Sequence, residues 1–267
     1  MNVVKNTITV GAGAEISVET GRLAKQADGS VVVRQGDTML LATVVSDKEG
    51  SDVDFLPLTV DYREKFAAAG RMPGGFMKRE ARPSDDEILM MRLIDRALRP
   101  LFPDDYHANT QVMIQLMAYD GVHSPDSLAG FAASAAIAVS NIPFNGPMSE
   151  VRVGRINGEL VVNPTIPQME GADMDMIIAG TMKDIVMLEG EMHECSEDEM
   201  VQAIKLAHEA IQAQCQFQMD MGVKVEGASD KREYCHEDHN DDVKKSVYDF
   251  CYDKCMAVAR QGLADKS

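Results

Sequence analysis

The sequence predicts an α+β protein in which helices pack on a mixed sheet. Short runs of β-branched and apolar residues fill the first 62 positions, two helical stretches separated by a strand follow, and strands return after residue 148. Because strands and helices alternate in this way, we expect parallel βαβ crossovers around the two central helices. With 267 residues, 45% of them hydrophobic, the chain is long enough to bury a substantial core.

The predicted helices have clear start signals. Ser84 and Glu87 form a capping box at the start of one helix, and Ser196 and Glu199 form a second. The run of small residues at 127–140 predicts a helix that lies close against a sheet. Strands are predicted at 31–33, 39–45, 55–60, 111–119, 149–156, 159–163, 174–181 and 184–190.

Turn chemistry refines two of these strands. Pro57 cannot donate to a sheet ladder, so it is expected either in an edge strand or at the start of a strand. Asn157-Gly158 between apolar runs predicts a hairpin.

The composition of the chain changes near residue 222. A charged stretch and then a helical stretch, about 240–262, follow that position, and we expect a domain boundary there.

The charge is unevenly distributed. There are 26 basic and 43 acidic residues, a net charge of −17, which argues against nucleic acid because phosphates require cations. Residues 63–99 nevertheless hold nine basic and six acidic residues. Such a basic island is either an ordinary salt-bridged surface or a surface that binds an anion.

Common catalytic and metal motifs are absent. The sequence contains no G-x-S-x-G, no Walker loop and no H-E-x-x-H. The cysteines and histidines between 235 and 255 have neither a C-x2-C pair nor finger spacing, so a zinc site is not predicted. Asp173 and Asp175 can hold Mg²⁺ or form the turn that leads into a strand, and the turn is the more common use.

The loop at 64–83 is the strongest functional signal from the residues themselves. It is long, has no periodicity and contains several glycines and prolines, as functional loops do. Phe76 offers a face on which a base can stack, and Lys78 and Arg79 offer contacts to phosphate. These are the parts of a site for single-stranded nucleic acid.

The helix that follows carries a row of arginines. Arg92, Arg96 and Arg99 are spaced i, i+4 and i+7 and therefore share one face. Asp95 can pair with Arg92 or Arg99, so this face is either an exposed salt-bridged surface or part of the same anion site.

These two segments carry a family resemblance. The runs G-R-M-P-G-G-F-M-K-R-E-A-R-P at 70–83 and R-L-I-D-R-A-L-R-P-L-F at 92–102 resemble the polynucleotide phosphorylase family of phosphate-dependent 3′→5′ exoribonucleases. The resemblance covers residues 1 to about 220 and implies the first of that family's two RNase PH-like cores. It implies an RNase PH-like domain over 1–222 and the start of an all-helical linker domain, truncated, over 223–267.

The resemblance also implies site residues. RNA-binding residues would be Phe76, Met77, Lys78, Arg79 and Arg82, in a loop that lies at the constriction of the family's central channel. The family commonly has Phe-Phe-Arg-Arg there, so Met77 and Lys78 are departures, and Lys78 lacks the planar guanidinium fork. Arg92, Arg96 and Arg99 would contact phosphate or RNA, or brace the surface between the two cores.

No catalytic residue or metal ligand is expected in this core. The family's second core carries Asp-x5-Asp-x-Lys, and the matching positions here are Met169, Asp175 and Ile177. The hydroxyl run that binds phosphate in the second core corresponds to Thr38-Met39-Leu40, which retains one hydroxyl.

The implied function is the N-terminal part of a polyribonucleotide nucleotidyltransferase in RNA degradation, with this core guiding RNA and assembling the ring. Mg²⁺ is expected in the second core and no cofactor in this chain. Expected partners are single-stranded RNA, inorganic phosphate, nucleoside diphosphates and two further copies in a homotrimer. The first residues lack a signal-peptide pattern and no membrane segment is evident, so a cytoplasmic protein is expected. The alternative is a stand-alone, non-catalytic RNA-binding and assembly module.

Overall fold

A computed structural model describes residues 2–11, 15–74, 79–80, 82–237 and 240–262. The strands are β1 Val4–Ile8, β2 Ile16–Thr20, β3 Gly29–Gln35, β4 Thr38–Ser46, β5 Leu58–Glu64, β6 Thr110–Ala118, β7 Met148–Ile156, β8 Glu159–Val162, β9 Met174–Thr181 and β10 Ile185–Met192. The helices are α1 Asp85–Leu98, α2 Pro125–Ala138, α3 Ile166–Met169, α4 Glu197–Val223 and α5 Asp241–Gln261, with short 3-10 helices at Phe66–Ala69 and Arg99–Leu101. Both predicted capping boxes are present, at α1 and at α4.

The larger sheet has six strands in the order β1-β2-β3-β4-β6-β5. Strand β5 runs parallel to β6, whereas the other neighbours are antiparallel, so the sheet is mixed as predicted. Helix α1 connects β5 to β6 and forms the first predicted crossover. Pro57 immediately precedes β5, which lies at an edge of this sheet.

The smaller sheet has four antiparallel strands in the order β10-β9-β7-β8. Asn157 and Gly158 connect β7 to β8 with positive φ angles of 52° and 83°. A two-residue turn with positive φ at both positions matches the twist of a hairpin, so the hairpin prediction is confirmed. Helix α4 packs against this sheet and buries Ala207, Ile211 and Cys215 in the second of two hydrophobic clusters.

The second predicted crossover, around α2, is wrong. Strand β7, which follows α2, pairs with β8 and β9 in the smaller sheet and not with β6. Helix α2 lies between the sheets, packed on β3 and β4 on one side and on β7 on the other. Glycines permit this: a Cβ on Gly29 would lie 2.1 Å from the carbonyl oxygen of Ala136, and one on Gly130 would lie 2.3 Å from Oε2 of Glu150. The small residues of α2 therefore serve two sheets at once.

The charged stretch after α4 is bound to the first part of the chain. Arg232 pairs with Asp28 (3.2 Å) and donates to the carbonyl oxygen of Ser46 (3.0 Å). The Tyr234 hydroxyl donates to Asp105 (2.7 Å). Helix α5, in contrast, has no buried residue. No helix in the described ranges is long and apolar enough to span a bilayer.

Candidate nucleic-acid interface

The basic loop is closed at its base by one buried carboxylate. Glu87, in the first turn of α1, is 7% exposed. Its Oε1 accepts a hydrogen bond from the amide of Glu64 (2.7 Å), and its Oε2 accepts one from the amide of Ser84 (2.6 Å). The Ser84 hydroxyl accepts in return from the amide of Glu87 (3.2 Å). Glu87 therefore joins the two ends of the loop while it caps α1.

A second carboxylate connects the two arms of the loop. The short helix Phe66–Ala69 on the outgoing arm is attached to the body of the domain, because the amide of Tyr119 donates to the carbonyl oxygen of Ala68 (3.0 Å). The amide of Phe66 donates to Oε1 of Glu80 on the returning arm (2.7 Å). The described part of the loop is thus a hydrogen-bonded structure.

Positive charges on this loop are free to bind an anion. Four exposed basic side chains of the loop form no ion pair with any described residue, and they are Lys65, Arg71, Arg79 and Arg82. Two of them, Arg79 and Arg82, belong to the predicted RNA-binding set. The other predicted members, Phe76, Met77 and Lys78, lie outside the described residues.

The three arginines of α1 line one groove. Arg92, Arg96 and Arg99 border an open groove of about 620 Å³ between α1 and the edge strand β5, as their shared helix face predicts. Leu58, Thr59 and Val60 form the opposite wall. The groove thus combines arginine side chains with the edge of a sheet.

Arg99 is committed to holding α1 on β5. Its guanidinium forms two hydrogen bonds with Asp95, at 2.6 Å and 2.9 Å. It also donates to the carbonyl oxygens of Leu56 (3.0 Å) and Leu58 (3.1 Å). Since most of its donors are occupied, Arg99 braces the groove.

The other two arginines differ from each other. Arg96 pairs with Glu189 of β10 at 2.5 Å and so connects α1 to the smaller sheet. Arg92 is exposed and has no ion pair in the part of the chain that the structure describes. Arg92 is therefore the member of the row with its donors available for a phosphate.

Asp175, which the resemblance aligns with the family's catalytic pattern, is neutralised by an arginine. Arg152 of β7 donates from Nε to Oδ1 of Asp175 (2.7 Å) and from Nη2 to Oδ2 (2.6 Å). The same guanidinium pairs with Asp126 at the start of α2. Hydrogen bonding to Asp175 raises the pKa of Arg152, although burial works in the opposite direction. Sequence reasoning missed Arg152, because it lies far from Asp126 and Asp175 in the chain.

These residues do not fit a divalent cation. Mg²⁺ is usually held by one or two free carboxylates in near-octahedral geometry, and both oxygens of Asp175 already accept from Arg152. Met169 lies where the resemblance places the first aspartate of the pattern, and its thioether offers no carboxylate oxygen to a metal ion. The described residues contain no group of three or more His, Cys, Asp or Glu side chains that could hold a metal ion.

Thr38, the one hydroxyl that the resemblance aligns with the phosphate-binding run of the second core, is also occupied. Thr38 is fully buried, and its hydroxyl donates to Oδ1 of Asp120 (3.0 Å). Desolvation raises the pKa of Asp120, but hydrogen bonds from His123, Val122 and the Asp37 amide outweigh it and hold that pKa well below its usual range. An ionised carboxylate at this position repels an incoming phosphate.

One buried carboxyl near these pairs has no partner. Glu150 of β7 is fully buried beside Gly130, and within the described ranges neither of its side-chain oxygens forms a hydrogen bond. Burial raises the pKa of Glu150 strongly, and the negative charge of Asp126 raises it further. Both effects favour the neutral form of Glu150 over the ionised form.

Comparison with known proteins decides the family. Domain 1 of the 3′ exoribonuclease family matches residues 13–143, and domain 2 of the same family matches residues 146–210. The chain belongs to the 3′ exoribonuclease family. The resemblance inferred from residues 70–83 and 92–102 is thereby confirmed.

Named members of the 3′ exoribonuclease family are similar along the whole chain. The polyribonucleotide nucleotidyltransferase of Bacteroides fragilis is 58% identical over 267 residues, which is 100% of this chain and 38% of the relative. That of Christiangramia forsetii is 57% identical over 262 residues, which is 98% of this chain and 35% of the relative. The chain thus spans little more than a third of the length of the curated relatives it matches.

A solved structure shows the same fold. The crystal structure of rice Rrp46 matches with a TM-score of 0.63 at 18% identity, covering 79% of this chain and 96% of that chain. The predicted RNase PH-like α+β fold is therefore confirmed.

Proposed function

We propose that the chain is the RNA-guiding core of a polyribonucleotide nucleotidyltransferase that degrades RNA from its 3′ end by phosphorolysis. The observation that carries the proposal is the 58% identity to the Bacteroides fragilis protein of that name along all 267 residues. In the proposed reaction, inorganic phosphate attacks the terminal phosphodiester. The RNA is shortened by one nucleotide and a nucleoside diphosphate is released.

In this proposal the chemistry takes place outside this chain. Phosphoryl transfer needs cations that are fixed around the transferred group, whether metal ions or side chains. Asp175 is bound by Arg152, and Thr38 is bound by Asp120. The matching position for the family's catalytic lysine is Ile177, which carries no charge. These contacts support the proposal that this core binds neither the attacking phosphate nor a metal ion.

RNA guidance is supported by the cations that remain unpaired. Arg79, Arg82 and Arg92 are exposed in a chain whose net charge is −17. Unpaired cations on an otherwise acidic surface attract a polyanion to one place. We place single-stranded RNA along the loop, with Phe76 stacked on a base and Met77 and Lys78 beside it.

The remaining parts of the proposal follow from the same family. The complete protein would be a homotrimeric ring in the cytoplasm that uses inorganic phosphate, releases nucleoside diphosphates and binds Mg²⁺ in its second core. The groove of Arg92, Arg96 and Arg99 would face that core or the RNA between the cores. A stand-alone RNA-binding and assembly module is the second candidate, because Asp175 and Thr38 are both bound by other side chains of this chain.

A nucleotide-release assay tests whether the chemistry takes place outside this chain. We expect the purified 267-residue chain to release no nucleoside diphosphate from poly(A) with phosphate and Mg²⁺, because losing one preorganised electrostatic contact typically costs about 10²–10³ in rate and several are lost. The full-length polyribonucleotide nucleotidyltransferase of Bacteroides fragilis, of which this chain matches 38%, is the positive control. Turnover by the 267-residue chain that disappears in Asp175→Asn would contradict the proposal.

A further inference from the structure

The returning arm of the basic loop contains an acidic residue between two free arginines. Arg79 and Arg82 are exposed and Glu80 lies between them in sequence, yet Glu80 forms no ion pair with either. A carboxylate beside a path for phosphates is electrostatically unfavourable. Its presence there therefore calls for a physical reason other than charge balance.

The hydrogen bond of Glu80 supplies that reason. Its Oε1 accepts from the amide of Phe66 (2.7 Å), fourteen residues earlier in the chain. Phe66 begins the short helix Phe66–Ala69, and Lys65 at the N-cap position provides no side-chain cap. The amides at the start of a helix have no partner within it, so Glu80 satisfies a donor that is otherwise left open.

The short helix is itself a fixed point. Its Ala68 carbonyl accepts from Tyr119, and its Phe66 carbonyl accepts from the amide of Arg71 (2.9 Å). Gly70 ends the helix with a φ of 64°, a left-handed conformation that suits glycine. Glu80 consequently attaches the returning arm to a helix that is already attached to the domain.

We propose that Glu80 is a positioning residue for RNA, which holds Arg79 and Arg82 toward the phosphates through its hydrogen bond to the Phe66 amide. This inference rests on the proposed RNA-guiding function. Glu87 supports it at the base of the loop, where it joins Glu64 to Ser84. Glu80 offers the cleaner test because it is exposed, so its substitution leaves the core intact.

Whether substitution of Glu80 weakens or strengthens RNA binding distinguishes a positioning role from a simple effect of its negative charge. Glu80→Ala removes both the negative charge and the acceptor, whereas Glu80→Gln removes the charge and keeps an acceptor oxygen. If Glu80 positions the arm, Glu80→Ala weakens the binding of a labelled oligo(A) about two- to tenfold, the value of one net hydrogen bond, and Glu80→Gln does not weaken it. If only charge matters, both variants bind more tightly, and the proposal is wrong.

Asp86→Asn is the matched control. Asp86 is an exposed acid in the first turn of α1 with no hydrogen bond to another described residue, so its neutralisation changes local charge without releasing a contact. We expect Asp86→Asn to bind oligo(A) as tightly as the unsubstituted chain or slightly more tightly. Weaker binding in this control, equal to that of Glu80→Ala, would overturn the positioning role.

Amide hydrogen exchange at Phe66 tests the contact without RNA. We expect exchange to be several-fold faster in Glu80→Ala and unchanged in Glu80→Gln, with the same unfolding midpoint in both. Unchanged exchange in Glu80→Ala would refute the contact itself. Faster exchange with no binding of oligo(A) by any variant would refute the RNA-guiding function and leave the contact established.

Discussion

Two charged regions of this domain differ in whether their arginines form ion pairs. In the basic loop and on α1, Arg79, Arg82 and Arg92 are exposed and have no ion-pair partner among the described residues. Between the sheets, Arg152 is only 24% exposed and is shared by two aspartates. One region presents its charges to solvent, and the other neutralises them internally.

The difference shows what each region can still bind. A buried charge is costly unless it is paired, so the aspartates between the sheets require Arg152 and cannot release it to a metal at low cost. Exposed cations cost little to leave unpaired, because water solvates them, and they remain available to a phosphate. The state of pairing, more than the number of charges, separates the structural region from the binding region.

Removing Arg152 is the strongest way to test the paired region. Arg152→Ala leaves Asp126 and Asp175 without their cation, and we expect the free energy of unfolding to fall by about 3–5 kcal/mol in urea denaturation. The control is Arg34→Ala, which breaks an exposed pair with Asp37 and should cost no more than about 1 kcal/mol. Equal losses of unfolding free energy in the two variants would show that the ion pairs of Arg152 stabilise the fold no more than an exposed pair does.

Phe76 tests the exposed region by a route other than charge. If it stacks on a base, Phe76→Ala should cost about 1–3 kcal/mol in RNA affinity. The melting temperature should hardly change, because a loop side chain contributes little to the core. A large loss of melting temperature with normal RNA affinity would make Phe76 a packing residue instead.

Glu150 sharpens the comparison, because it is a buried carboxyl near the ion pairs that has no partner. Burial raises the pKa of Glu150 in the folded state. The loss of folding stability that this causes is therefore absent below the pKa that Glu150 has in the unfolded chain, and it grows as the pH rises above that value. We expect the free energy of unfolding of Glu150→Gln, relative to that of the unsubstituted chain, to increase as the pH rises above the pKa of an unfolded glutamate, about 4.3. A difference that is constant with pH would show that folding does not raise the pKa of Glu150.

Local signals predicted much of the fold and one half of the site. The capping boxes at Ser84 and Ser196 and the hairpin at Asn157-Gly158 depend only on neighbours in sequence, and each is present. The common face of Arg92, Arg96 and Arg99 follows from helical spacing alone, and the three arginines line one groove.

The other half depends on contacts between distant residues. The hydroxyl of Thr38 meets Asp120, 82 positions away, and Arg152 meets Asp126 and Asp175 across two elements. The sequence pattern predicts α2 as a helix but does not predict which sheet the following strand joins. The sheet that β7 joins depends on the packing of both faces of α2, whose residues are almost all buried. Such pairs follow from topology, which a single sequence constrains only weakly.

The salt dependence of RNA binding tests the central claim most directly. The slope of log affinity against log salt concentration reports the number of phosphates contacted, at about 0.7 for each contact on a single strand. We expect the double variant Arg79→Ala with Arg82→Ala to bind oligo(A) more weakly and with a shallower slope, by about 1.4 for two contacts. The double variant Arg22→Ala with Arg34→Ala, which removes two exposed but paired arginines, should leave the slope unchanged. An unchanged slope in the first variant, or an equal change in both, would contradict the assignment of RNA binding to the unpaired cations.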